Sequence, residues 1–262
     1  YRVALLADAT PPTPLVVVAN NASRGYGATN PVFSGTITGL QNGDNITATY
    51  TATATASSPV GTYSINPTLV DPDGKLDKYI VTMTNGSLTV TAAVLTVTGN
   101  NASRPYGAAN PVFNGTVAGV QNGDNITATY ATAATATSPV GAYPITPILA
   151  DPSGKLGNYA VTMTNGSLAV TAVVLTVTAN NASRPYGAAN PSFTGNIAGL
   201  QNGDNITATY ATTATPGSPA GTYPIVPTLV DPNGKLGNYS VSLTSGTLTV
   251  TPPETLFFDD FS

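Results

Sequence analysis

The chain has 262 residues, with 8 Lys plus Arg against 12 Asp plus Glu, and it contains no Cys, His or Trp. So sparse and slightly acidic a charge set offers no basic patch to neutralise phosphates, which argues against nucleic acid as a partner, and without Cys there is no disulfide framework. Thr, Ala, Val, Gly, Pro and Asn dominate, a mixture that favours strands and turns over helices, and no run approaches the ~18 apolar residues that a bilayer span needs.

At the amino end, Tyr1-Arg2-Val3-Ala4-Leu5-Leu6-Ala7-Asp8-Ala9 puts Tyr1, Val3, Leu5 and Ala7 on one face if extended. Thr10-Pro11-Pro12-Thr13-Pro14 follows as a stiff, polyproline-like tether. The first residue is Tyr and not Met, so the chain is expected to be a processed or excerpted segment. From residue 15 the sequence repeats with a period of 80 and no insertion or deletion. Gln41-Asn42-Gly43-Asp44-Asn45-Ile46-Thr47-Ala48-Thr49-Tyr50 returns unchanged from Gln121 to Tyr130 and from Gln201 to Tyr210. Ser23-Arg24-Gly25-Tyr26-Gly27 becomes Ser103-Arg104-Pro105-Tyr106-Gly107 and Ser183-Arg184-Pro185-Tyr186-Gly187. Fixed-period self-similarity marks a tandem array. We frame it as repeats at residues 15–94, 95–174 and 175–254, with tails at 1–14 and 255–262. Each repeat is long enough to bury a modest core.

Within the middle repeat, Val94-Leu95-Thr96-Val97-Thr98 alternates as a half-buried strand, which Asn100-Asn101-Ala102-Ser103 ends. The stretch 111–119 carries Val112, Phe113 and Val117 and could hold a short helical turn. Gln121-Asn122-Gly123-Asp124 is a turn with Gly free to take positive φ. Alternation resumes over residues 126–131, and Ser138-Pro139-Val140-Gly141 punctuates it. Residues 143–149 form a strand whose two prolines, Pro144 and Pro147, mark it as a sheet edge. Residues 159–164 and 167–171 then flank Asn165-Gly166, the preferred dipeptide of a type I′ hairpin.

Only Ala92-Ala93 separates the last strand of the first repeat from Val94. So short a joint leaves little freedom, which predicts a semi-rigid rod with on the order of 30 Å per repeat. Beyond Pro252-Pro253, Leu256, Phe257, Phe258 and Phe261 concentrate apolar surface that calls for a partner. The tails have three readings: fragments of neighbouring domains, strands docked on their own array, or strands that complete a sheet of the next subunit, which repeated head to tail would build a filament.

Ser103-Arg104-Pro105-Tyr106-Gly107-Ala108-Ala109-Asn110-Pro111, then Gly119-Val120-Gln121-Asn122-Gly123-Asp124, Val140-Gly141-Ala142-Tyr143-Pro144-Ile145, Asn158-Tyr159 and Asn165-Gly166-Ser167-Leu168 resemble the MBG-type repeat, also known by its Tyr-Gly element. The resemblance covers all three repeats. It implies small all-β, Ig-like or β-grasp-like domains that occur in tandem in bacterial surface and adhesin-like proteins, and hence an extracellular, cell-surface location. It carries no catalytic residue.

Few residues invite chemistry. Asp71, Asp73 and Asp77 lie before and after Gly74 like part of a calcium loop, but no Glu closes it and the other repeats keep only the first Asp, at Asp151 and Asp231. An Asp-Pro turn is the competing reading, and Asp44, Asp124 and Asp204 read likewise as turn formers. Tyr26, Tyr106 and Tyr186 are candidates for stacking against sugars, weighed against core packing with the hydroxyl bonded to a neighbouring strand. Arg24, Arg104 and Arg184 point to a contact with the preceding domain or an acidic turn. Each repeat has a lysine, Lys75, Lys155 or Lys235, to weigh for an intramolecular isopeptide bond, but these follow Asp-Pro-x-Gly turns whereas the bond requires a buried lysine next to a carboxylate. With no His or Cys and a single Glu, neither a nucleophile and base pair nor a metal site of the usual ligands is on hand, so no enzyme and no cofactor are expected. The partners this reading expects are the chain itself, head to tail, or flanking domains of a longer surface protein, with a host glycan or protein as the partner of an adhesin alternative.

Overall fold

The computed structural model describes residues 11–41 and 43–253; Tyr1, Val3, Leu5, Ala7, Leu256, Phe257, Phe258 and Phe261, the assembly candidates in the tails, lie outside them. The first repeat contributes β1 (Thr13–Ala19), β2 (Ala22–Gly25), β3 (Gly35–Thr38), β4 (Thr47–Thr51), β5 (Gly61–Val70), β6 (Tyr79–Thr84) and β7 (Gly86–Thr91). The second contributes β8 (Ala93–Gly99), β9 (Ala102–Pro105), β10 (Gly115–Ala118), β11 (Thr127–Ala131), β12 (Gly141–Ala150), β13 (Tyr159–Thr164) and β14 (Gly166–Thr171). The third runs β15 (Val173–Ala179), β16 (Ala182–Pro185), β17 (Gly195–Ala198), β18 (Thr207–Ala211), β19 (Gly221–Val230), β20 (Tyr239–Thr244) and β21 (Gly246–Thr251). The helical content of the described residues is one short 3-10 turn before each of β6, β13 and β20. The all-β tandem array expected from composition and period is the architecture found.

In the first repeat one sheet has the order β3-β1-β6, with β1 antiparallel to β3 and parallel to β6. The other has the order β2-β7-β5-β4, with β2 parallel to β7 and β5 antiparallel to both its neighbours. Leu15, Val17 and Ala19 alternate inward along β1, as a strand with one face on a core must. Ile65 and Leu88 meet Ala19 and Ala54 from the second sheet.

Two of the changes of sheet fall between strands that follow each other almost directly, β1 to β2 and β6 to β7, and both correct the sequence reading. Asn20-Asn21 ends β1, yet the strand resumes at once as β2 in the other sheet, so the asparagines mark a crossing. The partner crossing lies at Asn85-Gly86, where β6 pairs with β1 while β7 pairs with β5 and β2. In the second repeat β13 likewise pairs with β8, and β14 with β12 and β9. Asn165-Gly166 is therefore not a hairpin turn. The glycine is needed because the two crossings touch: a Cβ on Gly86 would lie 2.5 Å from the Asn20 carbonyl oxygen. Asn21 Oδ1 secures the spot by accepting the Ser87 N–H at 2.8 Å. The Asn-Gly chemistry of a primed turn appears instead at Asn122-Gly123, with φ of 53° and 70° and Asp124 N–H donating to Gln121 O at 2.9 Å.

The proline strand is also not an edge. In the third repeat β19 lies between β21 and β18, but Gly221–Ile225 pair with β21 while Val226–Val230 pair with β18. Each half has one free side, and Pro224 and Pro227 fall in different halves, so a missing N–H is tolerated inside the sheet.

The compact units do not follow the repeats. One holds the residues up to Thr98 with Gly115–Thr129 and Pro147–Thr164, and the other holds Gly99–Asn114, Tyr130–Thr146 and the residues from Asn165. The first thus joins repeat 1 to the β10-β8-β13 sheet of repeat 2, and the second joins β9 and β14 to repeat 3.

Candidate functional site

Within each compact unit a boundary between repeats is packed as a core. The tyrosine of the Tyr-Gly element sits on a turn closed by Ala28 N–H donating to Gly25 O at 3.2 Å, with Gly27 at φ 85°. The primed turn of the next repeat presents an aspartate to it. In the first unit Tyr26 Oη donates to Asp124 Oδ2 at 3.0 Å, and Tyr159 Oη donates to the same oxygen at 2.7 Å. The two rings meet edge to face, 5.5 Å between centroids and 78° between planes, a geometry that aromatic quadrupoles favour. Gln121 N–H donates to Tyr159 Oη at 2.8 Å. Beside this cluster Asn158 Oδ1 accepts the Val60 N–H at 2.9 Å, and Asn122 Nδ2 donates to Ala56 O at 3.4 Å. Tyr26, Val90, Leu95, Val97, Ile126 and Tyr159 form one apolar cluster drawn from both repeats.

The second unit repeats the arrangement residue for residue. Tyr106 Oη donates to Asp204 Oδ2 at 3.1 Å and Tyr239 Oη to the same atom at 2.6 Å. The rings lie 5.8 Å apart at 79°. Asn238 Oδ1 accepts the Val140 N–H at 2.9 Å, and Asn202 Nδ2 donates to Ala136 O at 3.3 Å. The glycine of the element serves twice here: a Cβ on Gly107 would meet the Gln201 side chain at 2.7 Å. Burial, with the Asp124 carboxylate alongside, pushes the Tyr159 hydroxyl up to about 12, and burial with Asp204 does the same to Tyr239.

The sugar-stacking candidates therefore divide. Tyr26 is 3% exposed and Tyr106 2%, so neither ring offers a free face, while Tyr186 is 48% exposed. Asp124 and Asp204, read from the sequence as turn formers, are also the acceptors that close the boundaries. Asp44 accepts the hydroxyl of its own Tyr79 at 2.8 Å and lies 3.7 Å from Lys78 Nζ. Asn158 and Asn238 were not visible as functional residues; the one signal was that repeat 1 carries Lys78 where the others carry Asn.

The arginines do not reach a preceding domain or an acidic turn. Arg24 is buried in its own repeat, where Nε donates to Asn30 Oδ1 at 2.7 Å, Nη1 to Gly25 O at 3.1 Å, and Nη2 to Thr55 O. Asn30 in turn donates to Ala54 O at 2.7 Å. Arg104 and Arg184 repeat the set. Each guanidinium thus ties the Tyr-Gly turn to the loop before β5, β12 or β19, and carbonyl oxygens take the place of a carboxylate.

The calcium candidates are not brought together. Asp71 Oδ2 accepts the Leu76 N–H at 2.8 Å and caps the 3-10 turn, while Asp73 and Asp77 are exposed. Among the described residues no three acidic side chains converge as a metal site would require. In the later repeats the N–H groups of Lys155 and Leu156 hold Asp151 below its ordinary value, and those of Lys235 and Leu236 do so for Asp231. Among the described residues no helix is long and apolar enough to cross a membrane.

Among solved structures the chain is similar to Drosophila N-cadherin EC1-4, at 11% identity and a TM-score of 0.26, over 90% of this chain and 74% of that one. It is similar to the I9-I11 tandem of titin at 10% identity and a TM-score of 0.24, over 92% of this chain and all of that one. The three amino-terminal domains of the bacteriophage RB49 outer capsid protein Hoc give 11% identity and a TM-score of 0.24, over 92% of this chain and all of that one. No curated protein matches its sequence. The model of the MBG domain (YGX type) matches residues 15–89, 95–169 and 175–249, each match spanning the Tyr-Gly turn and the primed turn just described. The chain belongs to the MBG domain (YGX type) family and carries three of its domains in tandem.

Proposed function

We propose that this array is a structural spacer of a bacterial surface protein or extracellular fibre, and that it works by setting the distance and orientation of what it joins. The observation that carries this reading is that both repeat boundaries are closed by the same tyrosine, aspartate, tyrosine and asparagine set across one-residue links, Ala92 and Ala172. A chain selected only for three independent domains has no need of that. A catalytic role has no support in a chain without His or Cys. Small-angle scattering of the chain beside a Tyr26→Ala/Tyr106→Ala variant tests the reading. A spacer gives a defined maximum dimension that blurs in the variant; identical profiles overturn it.

For the fibre we propose head-to-tail addition of residues 1–9 as a strand to another copy. Among the described residues the edges β6, β13 and β20 each lack a second neighbouring strand and expose Met83, Met163 and Leu243, the kind of edge that accepts a strand. Negative-stain microscopy of the chain with and without residues 1–10, which leaves β1 whole, tests it: filaments that vanish on deletion support strand addition, and filaments in neither sample or in both overturn it. The exposed ring of Tyr186 favours an adhesin as the second reading. Glycan-array binding lost in Tyr186→Ala would establish that role, and a blank array would remove it.

A further inference from the structure

We propose that the residue at positions 78, 158 and 238 decides whether a repeat accepts a predecessor, so that Asn158 and Asn238 open their repeats to one and Lys78 closes the first. This rests on the spacer reading in taking the boundary as the working part of the molecule. The face that receives a predecessor consists of the primed turn with its aspartate, the tyrosine that opens β6, β13 or β20, and the last residue of the 3-10 turn. Repeat 1 has the aspartate, with Asp44 N–H donating to Gln41 O at 2.9 Å, and Tyr79 bonds Asp44 as Tyr159 bonds Asp124. It differs at the third element.

The local fold does not require the difference. The 3-10 turns Leu76–Lys78, Leu156–Asn158 and Leu236–Asn238 have the same flanking backbone, with φ of −100°, −98° and −94° at the residue before each. Gly157 and Gly237 have no positive φ, and a Cβ on either would meet nothing within 4 Å. What the asparagine does is accept the N–H of Val60 or Val140 from the preceding repeat. Lysine has donors only, so a predecessor docked on repeat 1 would have that N–H buried without an acceptor. The ammonium would be taken out of water as well, whereas Lys78 keeps 52% of its side chain exposed beside Asp44. Lys78 Nζ also lies 3.7 Å from Oδ1 of Asp44, the counterpart of the carboxylates that accept a preceding tyrosine hydroxyl at Asp124 and Asp204. The partner that fits Asn158 and Asn238 is thus the Pro-Val segment and Tyr-Gly turn of a like repeat, and repeat 1 presents a charged face to which no such repeat docks in this geometry.

The test is amide hydrogen exchange on the full chain and on Asn158→Lys and Asn158→Ala. In the unaltered chain Val60 and Val140 are both protected. Asn158→Lys is expected to speed Val60 exchange about tenfold or more and to expose the Tyr26 ring to solvent, with Val140 unchanged as the internal control. Asn158→Ala is expected to speed Val60 exchange while leaving Tyr26 enclosed, since Asp124 stays free to accept its hydroxyl. Val60 staying protected in Asn158→Lys overturns this proposal alone. Val60 and Val140 both unprotected in the unaltered chain would overturn the spacer reading with it.

Discussion

Tyr106 and Tyr186 stand in the same nine-residue sequence, Ser-Arg-Pro-Tyr-Gly-Ala-Ala-Asn-Pro, on the same turn, yet one is 2% exposed and the other 48%. Their own repeats treat them alike: Arg104 and Arg184 anchor the two turns through identical bonds. The difference comes from the following repeat, which brings Asp204 to Tyr106, while Tyr186 shares its own repeat with Gln201-Asn202-Gly203-Asp204, whose aspartate serves Tyr106. Gly107 and Gly187 teach the same lesson, since a Cβ on the first would strike Gln201 and on the second would meet nothing within 4 Å. The Tyr-Gly element is one half of a contact, and its environment is set 98 residues further along the chain.

Truncation should break the comparison most sharply. Tyr106→Ala removes a buried ring and is expected to cost about 3 kcal/mol, whereas Tyr186→Ala should cost under about 0.5 kcal/mol; urea unfolding of the two variants measures the gap. Asp204→Ala removes the acceptor shared by the Tyr106 and Tyr239 hydroxyls and is expected to cost about 2 kcal/mol, more than Asp44→Ala, whose residue serves one tyrosine and an exposed lysine. Tyr106→Phe deletes only the hydroxyl and should cost about 1 kcal/mol, with Tyr186→Phe silent. A further effect is in pH. Tyr159 and Tyr239 are raised from an ordinary 10.0 to about 12, so folding favours their neutral form. Their contribution is full below pH 10 and is lost as the pH rises toward 12, which melting temperatures across that window would show. On the acid side Asp151 and Asp231 are held below 3.8, so their contribution is present above that pH and lost as the pH falls through the lowered values.

How much of this was legible depended on whether the determinant was local. The period of 80 and the alternation over β8, β11, β13 and β14 exposed the repeats and most strands, because side-chain period and burial are coupled along one strand. β9 was missed because Asn100-Asn101 looks like a stop, and whether a chain stops or changes sheets depends on a second crossing far away. Asn165-Gly166 carried the right dipeptide for the wrong reason: the glycine answers a close backbone approach, while the φ-driven use of Asn-Gly lies at Asn122-Gly123. The prolines of β12 and β19 misled because a long strand has free sides on alternate halves. At the boundary the aspartates were seen as turn formers, which they are. Their second task needs a partner from another repeat, and nothing within one repeat announces it.

The account stands on the claim that like residues become unlike through the neighbouring repeat, and amide exchange at three equivalent positions tests it most directly. Val60 and Val140 donate to Asn158 and Asn238, while Ala220 holds the same place in repeat 3 and among the described residues has no asparagine as its acceptor. The account predicts slow exchange at Val60 and Val140 and fast exchange at Ala220. Equal rates at all three would contradict it.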